Sequence, residues 1–266
     1  MSINSEINDL CLDKGLGLRP YKSWRYRNEI DRFGFSSFLY NLLKPPYKAR
    51  GFCHWQHGWH FAWRSISFEE VGRSSFENNY ARTLPAIVYN ERMYKLFKDN
   101  SYKNVIMGPL PFALYGQHVT YQDLTNNFNN REIDYLIVLP KLTYSEVEHI
   151  SVDNQLFSHQ VFDFIDDTLS SIPSNSNVVL CLYYRDKEIP ILRNYILSKN
   201  LNWVHGANPY DINSLHRIHR LFSSSKTVYS QEIGSVQAYA GLCGAKVGLS
   251  RNYFLENKPS YKLIKR

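Results

Sequence analysis

Residues 134–140 read DYLIVLP and residues 177–184 read NVVLCLYY. Each is a near-continuous apolar run, short enough for one strand and bounded by polar residues or proline. This is how strands buried on both faces of a parallel sheet look in sequence. Between them, residues 155–171 are predicted to form a helix, and the alternation then continues. A helix is expected around 189–199, a strand over WVHGA (203–207), a helix over INSLHRIHRLFSS (212–224) and a strand over KTVYS (226–230). A helix over 234–243 and a last strand over AKVGLS (245–250) complete the series. Strand and helix alternating over this length place residues 126–266 in the α/β class with a parallel sheet.

Upstream the same pattern is shorter. PAIVYN (85–90) reads as a strand, ERMYKLFKDNSY as a helix, and NVIMGPLPF as a strand broken by Gly108, Pro109 and Pro111. That order is the sequence form of a parallel crossover. Residues 51–63, GFCHWQHGWHFAW, suggest a strand running into a loop. Residues 23–43 carry helical spacing until Pro45 and Pro46 stop it, and residues 1–22 read as an irregular lead-in with Gly15, Gly17 and Pro20. Residues 117–133, QHVTYQDLTNNFNNREI, are polar and Asn-rich with no apolar period, and are read as a linker. The expected organisation is an N-terminal α/β half, 1–125, and a larger C-terminal half, 126–266. A cleft would face the carboxyl ends of the strands, where ligands bind in such sheets.

The 266 residues are 44% hydrophobic and 21% charged, which supports a real core and excludes disordered, collagen-like and low-complexity classes. A net charge of +7 favours an anionic partner. No zinc knuckle, RNP-type aromatic signature or continuous basic helix is present, so no nucleic acid is expected. The four cysteines, Cys11, Cys53, Cys181 and Cys243, form no CxxC pair, which fits a reducing compartment. Apolar runs of ~18 residues are absent. The expected location is the cytoplasm, with peripheral contact at an anionic inner membrane face as a variant.

The segment SQEIGSVQAYAGLCGAKV (230–247) carries the most chemistry. A strand ends at Ser230, a polar turn holds Glu232, and a helix opens at Gly234 and Ser235 with Tyr239 one turn on. A helix N-terminus offers N–H groups and a positive dipole end to a phosphate, with glycine permitting close approach. Ser235 as a plain helix cap is the other reading.

This segment resembles the C-terminal nucleotide-sugar region of GT-B-type glycosyltransferase-like proteins of bacterial surface-polysaccharide (O-antigen and capsule) biosynthesis. There an Ile-Gly-Ser or Leu-Gly-Ser turn opens a Tyr-bearing helix and a Gly-Ala-Lys-Val type strand closes it. VHGANPYDINSLHRIHRLFSSSKTVYS resembles the preceding part of that region, with Pro209, Tyr210 and Asp211 in the place of its triplet. The likeness spans roughly residues 134–250. One departure is Val236 and Gln237, where the family commonly carries a His after Gly-Ser. The resemblance implies two Rossmann-like parallel-sheet halves facing a central cleft, the N-terminal one reduced. It also implies an activated sugar donor in the C-terminal half, a saccharide or lipid-linked saccharide acceptor in the N-terminal half, and no obligatory metal or other cofactor. The chain indeed has no Asp-x-Asp to hold a divalent ion on a donor diphosphate. A CMP-Kdo, CMP-sialate or pyruvyl transferase on the same architecture, or a catalytically silent binding subunit of the same pathway, are the rival readings.

Expected donor-side residues are Ser230, Glu232, Gly234, Ser235, Tyr239, Arg185, His205 and Gly206, all at carboxyl strand ends or just beyond. Arg185 has a second reading, a surface ion pair with Asp186 or Glu188. On the acceptor side, His54, His57 and His60 stand three apart around Gly58. Zinc ligation, general-base chemistry and stacking on Trp55 and Trp59 are all open to them. His57 is the candidate catalytic base because Gly58 beside it allows a ligand close. Gly58, His60, Gly108 and Pro109 are the expected acceptor-cleft residues, the last two resembling the family's Gly-x-Pro-Phe-x-Tyr loop. His216, Arg217, His219 and Arg220 are expected on a solvated helix face.

Overall fold

The computed structural model describes residues 7–22, 54–55, 86–109, 112–113, 127–140, 153–208, 211–231 and 234–249. Its strands are β1 (His54–Trp55), β2 (Ala86–Val88), β3 (Val105–Met107), β4 (Ile133–Val138), β5 (Val178–Leu182), β6 (Asn202–His205), β7 (Ser225–Ser230) and β8 (Lys246–Leu249). Its helices are α1 (Glu91–Asp99), α2 (Asp153–Ser171), α3 (Pro190–Ser198), α4 (Ser214–Ser223) and α5 (Ser235–Leu242). The protein is α/β, and every strand pair is parallel. The chain divides into two compact units: residues 1–18, 121–206 and 220–266 form one, and 19–120 and 207–219 form the other.

In the first unit five strands run in the order β6-β5-β4-β7-β8. The chain steps outward from β4 to β6, returns to the far side of β4, and steps outward again. In the order of their winding the strands run 3-2-1-4-5, as five strands of a doubly wound, Rossmann-like sheet do. Leu136, Ile137, Val179, Leu180, Val204 and Val228 are buried, so consecutive residues of both parities are covered. Ile137, Leu180 and Leu182 meet Val161, Phe164 and Ile165 of α2 and Leu192 and Ile196 of α3 in one cluster. Full burial of each such side chain contributes about 1.5–3 kcal/mol. The two helices are also locked to each other. Phe162 stacks on Tyr195 at 4.3 Å, and Asp166 accepts from the Tyr195 hydroxyl and from Lys199. Pro190 opens α3 at a position whose N–H has no helical partner in any case. Gly244 takes φ +71° directly after α5, a left-handed turn that favours glycine.

One sequence expectation needs correction here, and one irregular segment gains an anchor. The end of the expected linker belongs to the sheet unit: Arg131 is buried and donates to the carbonyls of Ser225 (2.6 Å) and Cys243 (2.9 Å). A polar stretch reads as linker, but here its arginine satisfies carbonyls of two later elements. The lead-in is likewise tied down, since Leu12 N–H donates to Trp203 O (2.9 Å), Trp203 N–H donates to Leu10 O (3.0 Å) and Cys11 bridges Trp203 in parallel.

The second unit holds a three-stranded parallel sheet in the order β1-β2-β3. Asn90 caps α1 by accepting from Met93 N–H at 2.8 Å, and Glu91 and Lys98 complement the dipole at the two ends. Met93 and Phe97 then bury against Ala86, Val88 and Val105. The same unit corrects the reading of α4 as solvated. The side chain of Arg217 is only 4% exposed, lies 3.7 Å from the buried Asp211 carboxylate and donates to Arg19 O. His216 and His219 are half-buried, and Arg220 is exposed. The expected helix at 23–43 lies outside the described residues.

Candidate functional site

Because the five strands are parallel, their carboxyl ends share one edge of the sheet, and the order reverses between β4 and β7. Val138 and Ser230 are register partners at that edge. The connections leaving neighbouring strands there run to opposite sides, which opens a crevice at the carboxyl ends. Ser230 and Gln231, at and just past the end of β7, are buried. Gly234 follows as the N-cap of α5, and a Cβ built on it meets no atom within 4 Å. Space is therefore available directly over the backbone at the positive end of α5.

Gln237 ties this corner together. Its Oε1 accepts from the Gly234 N–H at 2.6 Å and its Nε2 donates to Ser230 Oγ. One side chain thus fixes the start of the helix against the end of the strand. The sequence reading noticed Gln237 only as a departure from a family pattern. The usable signal was its place three residues after the N-cap, where Gln reaches back to the cap N–H.

Ser230, Gly234 and Ser235 are brought together, whereas the other expected donor-side residues are dispersed. Arg185, beyond the end of β5, is about two strand spacings from β7, roughly 10 Å. Its Nε lies 3.8 Å from Glu188 in an exposed ion pair. His205 ends β6, three spacings or about 14 Å from β7. Its Nδ1 pairs with Asp13 Oδ2 at 2.8 Å. A Cβ on Gly206 falls 2.7 Å from Cys181 Sγ and 3.0 Å from Leu182 O, so that glycine is used by close packing on β5. Tyr239 is buried within α5. Glu232 lies outside the described residues.

In the second unit Gly108 directly follows β3, donates to Val88 O at 2.8 Å and faces Ile87 closely enough that a Cβ would sit 2.8 Å from its Cγ2. Pro109 is exposed. His57, Gly58 and His60 lie outside the described residues. Asp211 accepts from Lys22 N–H (3.1 Å) and Asn213 N–H (2.9 Å), which with Arg217 makes it a structural anion.

At the opposite, amino end of the larger sheet a cleft of about 310 Å³ is lined by Phe128, Asp134, Lys226 and Lys246 among others. Lys226 is paired with Asp134 at 2.8 Å, and Lys246 sits over the Phe128 ring at 5.3 Å. Its hydrogen bond to Lys226 holds the Asp134 carboxyl below the usual range. Lys226 and Asp134 are engaged with each other and Lys246 with an aromatic face, and the cleft lies at the end of the sheet where this architecture does not bind ligands. Elsewhere, burial pushes the Cys243 thiol up to about 11, which makes it a buried hydrophobe without nucleophilic character. Among the described residues no helix is long and apolar enough to cross a membrane.

No family model, curated protein or solved structure matches the chain. What the crevice does is therefore argued from its own residues.

Proposed function

We propose that the crevice between β4 and β7 binds a nucleotide-activated sugar, and that the protein is a GT-B-like glycosyltransferase. It would transfer the sugar to a saccharide or lipid-linked saccharide acceptor of a cytoplasmic surface-polysaccharide pathway. The observation that carries this reading is the strand order, which places Ser230, Gly234 and Ser235 at the reversal point. The residues singled out by the sequence motif and the position favoured by the architecture coincide there.

In the proposed chemistry the donor diphosphate lies over Gly234, where the open backbone and the dipole of α5 stabilise the charge that develops on the leaving group. With no Asp-x-Asp in the chain, the phosphate charge is met by the helix end and basic side chains. Gln237 holds that helix end in place and yields the Gly234 N–H to the phosphate on binding. In the N-terminal half His57 takes the proton of the attacking acceptor hydroxyl.

The test is a thermal-shift panel of UDP, GDP, TDP, CMP and their sugars on the full chain, followed by calorimetry. A ligand selective for the native state raises the apparent melting temperature. One nucleotide family is expected to do so, and a sugar conjugate of it to be consumed when acceptor is added. Absence of binding across the whole panel rejects the reading.

A further inference from the structure

Away from that crevice, the fold gathers three side chains from two distant parts of the sequence. Cys11 Sγ, a carboxylate oxygen of Asp13 and a ring nitrogen of His205 all lie within 4.8 Å of one another. They are the one such mixed group among the described residues. Backbone bonds on both sides set their frame. Residues 10–12 run beside β6 through the Leu12–Trp203 and Trp203–Leu10 bonds, and the buried Trp203 indole donates to Ile7 O at 2.8 Å. The His205 N–H donates to Asp13 Oδ1 at 2.9 Å while Nδ1 meets Oδ2 at 2.8 Å. The side chains of Asp13 and His205 keep 22% and 24% exposure, so the group is anchored yet open to solvent.

We propose that Cys11, Asp13 and His205 form a binding site for a borderline-soft divalent transition-metal ion of the zinc class. Thiolate, carboxylate and imidazole are the three donor types that zinc takes, whereas magnesium and calcium select all-oxygen sites. One thiolate and one carboxylate balance the charge of a divalent ion, which keeps a partly buried site neutral. Three protein ligands leave a fourth position to water. Zinc bonds of about 2.0–2.3 Å in a tetrahedron hold ligand atoms roughly 3.3–3.8 Å apart. Closing the group around an ion therefore requires movements of about 1.5 Å or less. The bound ion clasps the lead-in onto the edge of the sheet at β6. With His205 three strands from Ser230, this site is independent of the proposed donor crevice.

The full chain, stripped with EDTA and exchanged into chelator-free buffer, is titrated with Co²⁺. A near-ultraviolet thiolate-to-cobalt charge-transfer band and intense visible bands of tetrahedral cobalt are expected, and Zn²⁺ bleaches both. Cys11→Ser abolishes the charge-transfer band, and Asp13→Asn and His205→Gln weaken binding by at least about tenfold. On the unmutated protein, Zn²⁺ slows alkylation of Cys11 by iodoacetamide, followed by peptide mapping, by at least about tenfold, and EDTA restores it. This second measurement decides the matter even where a variant fails to fold. Zinc binding that leaves Cys11 alkylation unchanged places the ion elsewhere, such as the histidines at 54–60, and overturns the proposal. So does the absence of any cobalt spectrum.

Discussion

Val138 and Ser230 stand opposite each other at the carboxyl ends of β4 and β7, the two strands between which the sheet order reverses. From Val138 the chain goes on to build β5 and β6 on one side, and from Ser230 it goes on to build β8 on the other. A crevice at this pair is a consequence of winding direction, and the side chains around it decide what it holds.

Gly234→Val probes that crevice directly. The backbone at Gly234 is extended and a Cβ meets nothing within 4 Å, so stability is expected to stay within about 0.5 kcal/mol. The added branches fill the space over the helix end, and nucleotide affinity is expected to drop at least about tenfold, some 1.4 kcal/mol. Calorimetry on both proteins checks this. Unchanged affinity in a folded variant moves the phosphate away from Gly234.

Gly206→Ala separates packing from ligand contact at the end of β6. The new methyl collides with Cys181 Sγ and the Leu182 carbonyl, and overpacking of this kind costs about 1–3 kcal/mol. Urea unfolding is expected to show that loss with nucleotide affinity unaltered. A variant that is fully stable but binds nucleotide poorly contradicts the packing role.

Removing the buried cation Arg131 takes a donor from the Ser225 and Cys243 carbonyls. Its burial lowers the pKa of the guanidinium from its ordinary value, but hydrogen bonds to charged groups retain about 1.5–3 kcal/mol each. Arg131→Met is expected to destabilise by roughly 2–4 kcal/mol. Arg131→Lys should recover little, because one ammonium on a flexible stem does not reproduce the fork. Full recovery by lysine in denaturant titrations disproves the two-carbonyl role.

What the sequence made legible was local. DYLIVLP and NVVLCLYY announce β4 and β5 because strands buried on both faces must be apolar at every position, and Gly234 marks the start of α5. What stayed hidden was long-range. Strand order depends on which strand pairs with β4, which no window of residues records. Asp13 meets His205 across 192 residues and Cys11 joins them, so neither looked like a ligand. Arg217 read as solvent-facing because charge usually is, and Arg131 as part of a polar linker, yet each is buried against partners remote in sequence. Gly206 illustrates a different ambiguity, since glycine serves a close ligand and a close backbone equally well.

His219 should give the second unit a pH-dependent stability. It is half-buried, with its ring 6.0 Å from Phe112, and burial first, then the neighbouring His216, lower its pKa from the ordinary value. A folded-state pKa below the unfolded one means that the stabilisation is complete above about pH 6.5. It is lost as the pH falls through the folded value, because the unfolded chain takes up the proton first. Urea midpoints at about pH 7.5 and 5.5 should therefore fall more for the unmutated protein than for His219→Gln. Equal slopes reject the assignment.

His57 is the proposed general base. Strand β1 ends at Trp55, two residues before it, and Gly58 follows it. The stretch HWQHGWH contains no carboxylate to compete for the role of base. Loss of a general base typically costs 10²- to 10⁴-fold in rate, while loss of a packing histidine lowers stability first. His57→Ala is accordingly expected to keep its melting temperature and donor affinity and to lose transfer by that factor. Because the proposed base acts on the acceptor hydroxyl, hydrolysis of the donor by water should fall far less than transfer. A variant that melts early but transfers normally per folded molecule makes His57 structural, and proton abstraction must then be sought at another residue.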